Sequence, residues 1–190
     1  MNKEYFDGQI FRGENFAENA LPKGEYENCA FDNCIFAHAD LSKTTIADCK
    51  FEHCDLSMAA LHGTAFREIC FKYCKLLGLR FEDCNPFSLT FRFENCLLDF
   101  ASFYQLKLPE TTFNDCKLVE TTFVGTDLTR AVFKNCDLLN AVFEAAKLEG
   151  ADFRTAFNFS IDPENNRIYK ARFSAQNVAG LLEKYQLNIE

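Results

Sequence analysis

No stretch of this 190-residue chain approaches the ~18 consecutive apolar residues that a membrane span requires. The opening residues, MNKEYFDGQIF, place acids where a secretory leader has its apolar core, so a cytoplasmic protein is expected. Basic residues are in deficit: 20 Lys and Arg stand against 28 Asp and Glu, a net charge of −8. That balance argues against direct nucleic-acid binding, which works by neutralising phosphates. Tryptophan is absent, and there are only 2 Met, 3 His, 4 Pro and 8 Gly. Neither a Gly-rich phosphate loop nor a nucleophile elbow occurs, so no enzyme is expected.

What is abundant is phenylalanine, with 22 residues, and cysteine, with 10. Their placement has a period of five. Every fifth residue from Phe6 to Phe81, and again from Phe93 to Phe153, is Phe, Leu, Ile or Tyr. Neither the helical period of about 3.6 nor the strand period of 2 produces this. The residue two before each of these centres is mostly small: Cys96, Ala101, Thr111, Cys116, Thr121, Thr126, Ala131, Cys136. In extended chain, residues two apart point to one side. Each five-residue unit therefore sends one large and one small side chain inward, and the two residues after the centre turn a corner.

A coil of four such sides, 20 residues long, stacks like on like. Cys34, Cys54 and Cys74 are spaced by 20, as are Cys96, Cys116 and Cys136. The two halves differ in phase by two residues, which a bulge near Pro86, over residues 86–88, absorbs. One column then reads Phe11, Phe31, Phe51, Phe71, Phe93, Phe113, Phe133, Phe153, and another joins the six cysteines into one ladder.

The units Ala39-Asp40-Leu41, Thr126-Asp127-Leu128 and Ala151-Asp152-Phe153 resemble the A-(D/N)-L-x-x consensus of the pentapeptide repeat family, over roughly residues 4–157. The resemblance implies an all-β solenoid, a right-handed quadrilateral β-helix of about 7.5 coils, with a short C-terminal helix. At about 4.8 Å per coil the rod is roughly 36 Å long. Residues 1–158 form the repeat domain and 159–190 a C-terminal extension. In that extension Ser174 can cap a short helix whose apolar stripe is Val178, Leu181, Leu182 and Tyr185. The stripe is expected to cover the last coil.

Within the family the chain looks most like the Qnr group, which binds DNA gyrase and topoisomerase IV. That resemblance implies a DNA mimic and a homodimer formed through the C-terminal end. Asp115 and Glu149 are candidate acids of the partner surface. Duplex DNA carries roughly 21 charges over 36 Å, against the net −8 of this rod. Long loops that several Qnr proteins project have no counterpart here beyond the two-residue bulge. The other reading is a scaffold for an unrelated partner, with outward Leu77, Phe100, Tyr104, Val119, Val124 and Leu139 as a docking patch.

No metal or cofactor is expected. Nine cysteines fall in the small inward place, so the repeat explains their spacing, while Cys70 alone falls outward. His38, His53 and His62 all fall in outward corner places.

Overall fold

Two inward side chains in every five residues leave the backbone extended for three residues and turning over the next two. The computed structural model, which describes residues 4–87 and 89–188, follows that path as a parallel β-solenoid. Its sides are strands of three or four residues, such as Gly24–Glu27, Ala30–Asp32 and Thr45–Ala47, and all the pairings are parallel.

Each rung pairs with the residue 20 positions on, so four faces form. The first carries Glu25, Thr45 and Ala65, and the second Ala30, Lys50 and Cys70. The third carries Ile35, Asp55 and Lys75, and the fourth Asp40, Ala60 and, through Arg80, Ser102. Seven strands spanning six turns build the sheet of the second face. Its ladder continues past Phe153 through the bridges Val132 to Asp152 and Asp152 to Arg172. The coil thus outlasts the repeat, because stacking at Phe173 is kept while the inward code around it lapses.

The two-residue phase shift is present. Phe71 pairs with Phe93 and Lys75 with Leu97, 22 residues apart, whereas Phe51 pairs with Phe71 at 20. The insertion lies between Asp83 and Phe91, after a short 3-10 turn at Phe81–Asp83, and Ser88 lies outside the described residues. Phe91 takes the small inward place there and is buried against Phe66, Phe71, Phe81 and Phe93, at ring distances of 5.2 to 6.3 Å.

Most corners share one backbone solution. The second residue after the centre adopts positive φ there, as at Asn28 (53°), Asn33 (52°), Asp115 (52°) and Asn135 (53°). Asn, Asp and Gly tolerate this left-handed region best. Many corners nonetheless hold other residues, including Phe100 (62°), Glu120 (55°) and Ala145 (51°). Thr155, a β-branched residue in the same place, is not among them.

Inside, the phenylalanines of the second face stack as parallel rings, with centroids 4.6 Å apart at Phe31–Phe51 and 4.9 Å at Phe113–Phe133. Across the bulge the fourth face has its own stack, Phe81, Phe103, Phe123 and Phe143. The two stacks meet edge to face across the core, at 5.9 Å and 81° for Phe103 and Phe113. Offset stacking and edge contacts are the two arrangements that a ring quadrupole favours.

The C-terminal helix is realised as two 3-10 turns, Val178–Leu181 and Glu183–Tyr185, and not as one α-helix. Successive bonds run three residues back, from Leu182 N to Ala179 O and from Tyr185 N to Leu182 O. Three residues per turn split the apolar stripe into two lines. Leu181 packs on the core and Leu182 is half-buried, but Val178 and Tyr185 are exposed. Ser174 makes no side-chain cap; the Asn177 amide caps the solenoid by donating to Phe153 O at 2.7 Å and Ala156 O at 2.9 Å. Gly180 is required by packing, since a Cβ there would strike the Phe159 carbonyl and lie 2.6 Å from its ring.

Candidate interaction surface

Positions on the rod recur at the coil spacing, so side chains about 20 apart in sequence are lateral neighbours. The consequence for charge is direct. Lys147 Nζ meets Asp127 at 3.2 Å, Arg167 meets Glu149 at 2.6 Å, and Arg67 reaches both Asp48 (3.5 Å) and Glu27 (3.7 Å). Such exposed pairs contribute little stability. They do divide the acidic surface into compensated rungs, so the first face carries no continuous negative stripe.

Asp115 and Glu149 stand on different corners. Asp115 is exposed at the second face's far corner and accepts the Asn135 side-chain amide at 3.0 Å. Glu149 is half-buried, with its carboxylate engaged by Arg167. Acids lower their pKa where local donors converge. Asp40, on the fourth face, is held down at about 2, first by the Ser42 hydroxyl, then by the Ser42 amide at 2.9 Å and by Lys23 at 3.1 Å.

The cysteine ladder Cys34, Cys54, Cys74, Cys96, Cys116 and Cys136 is buried throughout, with all ten thiols free. Each of these side chains does more than fill a small space. Cys54 Sγ donates to Phe31 O, Cys74 Sγ to Phe51 O and Cys136 Sγ to Phe113 O, at 3.3 to 3.4 Å and 23 residues back. Thr64, Thr121 and Thr126 hydroxyls make the same bond to Leu41, Leu98 and Phe103 at 2.8 to 3.0 Å. The small inward place is therefore a donor site as well, which residue size alone conceals. Burial pushes the Cys34 thiol up to about 11 and Cys49 to about 12, so they are unreactive at neutral pH. Cys70 is half-exposed between Lys50 and Arg92, and burial raises its pKa also.

His38, His53 and His62 are exposed, with His53 stacked on Tyr73 at 5.1 Å. Among the described residues no three His, Cys, Asp or Glu side chains gather in a metal-binding arrangement. No helix among them is long and apolar enough to cross a membrane.

The patch of Leu77, Phe100, Tyr104, Val119, Val124 and Leu139 lies over the third face's far corner and the fourth face. Phe100 is 60% exposed, and Leu139 and Tyr104 are also exposed, while Leu77, Val119 and Val124 are half-buried. Asp99 interrupts its corner column, but is nearly buried, accepting from Val119 N at 3.1 Å and pairing with Lys117 at 3.2 Å.

A four-faced parallel coil of this kind, with its inward code repeated every five residues, defines a β-solenoid protein of the quadrilateral type. The chain belongs to the pentapeptide repeat family: the pentapeptide repeat region model matches residues 44–123 and 89–156, and the model of eight-copy pentapeptide repeats matches 27–57. No curated protein matches it by sequence. Among solved structures it is similar to a trypsin-treated variant of QnrB1, a plasmid-mediated fluoroquinolone resistance protein. There the TM-score is 0.78 at 15% identity, covering 100% of this chain and 92% of that one. Full-length QnrB1 gives a TM-score of 0.65 at 18% identity, covering 97% and 100%. The fold is shared over nearly the whole of both chains.

Proposed function

We propose that this chain is a non-enzymatic, cytoplasmic rod that docks on a type II topoisomerase, DNA gyrase or topoisomerase IV, where duplex DNA would lie, and modulates the enzyme or protects it from quinolones. The observation that supports this most is the end-to-end likeness to QnrB1, a fluoroquinolone resistance protein, at a TM-score of 0.78. The acidic balance of −8 agrees with it. In this reading Asp115, exposed and not ion-paired by any Arg or Lys among the described residues, faces the enzyme; Glu149, held by Arg167, contributes less. Two rods associate through their C-terminal ends, where Val178, Tyr185 and Leu187 are exposed.

Purified protein added to gyrase should lower supercoiling, or restore it in the presence of a fluoroquinolone. Binding should weaken as salt rises, because exposed charge is screened. Absence of binding and of any change in supercoiling or drug sensitivity at micromolar excess would refute the topoisomerase reading. The scaffold reading is favoured by one feature, the neutral stretch of the fourth face.

A further inference from the structure

The fourth face changes character beyond the bulge. Its mid-face ladder runs Arg80, Ser102, Thr122 and Val142, and after Arg80 no charge projects from it over three rungs. The outward places beside that ladder are Tyr104 and Val124, and the adjoining corner presents Phe100 and Leu139. The first face over the same rungs is charged at every mid-face position, with Lys107, Asp127 and Lys147. Two carboxylates flank the neutral strip on opposite corners, Glu120 on one side and Glu144 on the other. Neither is in an ion pair among the described residues, in contrast to Asp127 and Glu149 on the first face.

The dimensions select the occupant. From Leu77 to Leu139 is three rungs, about 14 Å at ~4.8 Å per rung, and one side of the coil is about 10 Å wide. That flat area, roughly 150 Å², is far below the ~800 Å² per partner of a stable protein–protein interface, so this face alone suits a small, weakly held element and would not hold a second rod. A single α-helix, about 10 Å across, covers the strip with three turns of about 5.4 Å each. Its stripe of i, i+3, i+4 and i+7 side chains recurs once per turn, and a tilt of about 27° brings that pitch to the rung spacing. Basic residues on the helix flanks would then lie over Glu120 and Glu144.

We propose that the fourth face between Arg80 and Val142 is a docking site for an amphipathic helix of a partner protein, with an apolar stripe of about three turns flanked by Lys or Arg. Phe100 and Leu139 are the apolar anchors, and Glu120 and Glu144 set the preference for a basic helix. The site is separate from the acidic corner at Asp115, and it stands whether or not the partner is a topoisomerase.

The test is fluorescence anisotropy with the full chain and a labelled peptide of about 15 leucines and lysines, its leucines at i, i+3, i+4 and i+7. The expected result is weak, saturable binding that weakens at least tenfold in a Phe100→Ala/Leu139→Ala variant. Glu120→Gln/Glu144→Gln should weaken binding several-fold and flatten its salt dependence. Glu52→Gln/Glu94→Gln, which removes the same charge from the second face, should leave it unchanged. Ala145 already occupies the corner conformation of Phe100, so alanine is compatible with the backbone there, and unchanged thermal midpoints would verify folding. No binding, or equal loss in the two Gln variants, overturns the proposal; equal loss would show general attraction to an acidic protein. Self-association abolished by the Phe100→Ala/Leu139→Ala change also overturns it, since a second copy would then be the occupant.

Discussion

Phe71 lies flat against Phe93, its ring centroid 5.6 Å away at an interplanar angle of 9°, although 22 residues separate them and every other neighbour in that column is 20 apart. The column is continuous because the two extra residues are looped out where they need not stack, and Phe91 fills the interior beside them.

Phe71 is fully buried between Phe51, at 5.1 Å, and Phe93. Phe71→Ala should cost about 3–5 kcal/mol in denaturant unfolding, while outward Lys72→Ala should stay within about 0.5 kcal/mol. Equal midpoints for the two variants would contradict the register.

Corner conformation is testable at Ala145, which is exposed with φ 51°. Ala145→Val places a β-branched side chain in the left-handed region and should destabilise by roughly 1–2 kcal/mol. Ala145→Gly should be neutral or stabilising by up to about 1 kcal/mol. Thermal unfolding of the pair reads the difference; Val as stable as Gly would remove the argument.

Thiol chemistry separates inward from outward cysteines. In the folded protein Ellman's reagent should reach Cys70 alone, and all 10 thiols after denaturation. Fast labelling of two or more thiols under native conditions would mean the ladder is open to solvent. Cys54→Thr should be tolerated better than Cys54→Leu, because a hydroxyl can make the bond to Phe31 O that the thiol makes.

Asp40 supplies a pH test. Its folded pKa, about 2, lies below the ordinary carboxylate value, so its contribution is fully present above about pH 4 and is lost as pH falls through 2. An NMR titration should place the Asp40 midpoint lowest in the wild type and higher in Ser42→Ala. A midpoint near 3.9 in the wild type would show that Ser42 and Lys23 do not hold it.

The C-terminal turns cap the last coil through Asn177, Gly180 and Leu181. A chain ending before Ser174 would leave Ala156 O and Ile161 N unpaired, and Phe153 O with Ala156 N as its remaining donor, and should lose stability or aggregate. Sedimentation of the full chain at tens of micromolar should give a dimer, weakened by Tyr185→Lys. A monomer would refute dimerisation.

The residue string by itself determined the solenoid. A period of five, like residues 20 apart and a phase shift between Phe81 and Phe93 report which side chains point inward, and that information is local. Tertiary structure alone decided what depends on the neighbouring coil. Phe31 O receives Cys54, Glu149 is quenched by Arg167, and Gly180 is pressed on Phe159; each contact joins residues some 18 to 23 positions apart. The C-terminal stripe shows the limit from the other side. Val178, Leu181, Leu182 and Tyr185 are spaced for an α-helix, yet packing on the last coil tightens the chain into 3-10 turns and leaves Val178 and Tyr185 outside. Period encodes inside and outside, whereas the bonds between coils exist only once the coils are stacked.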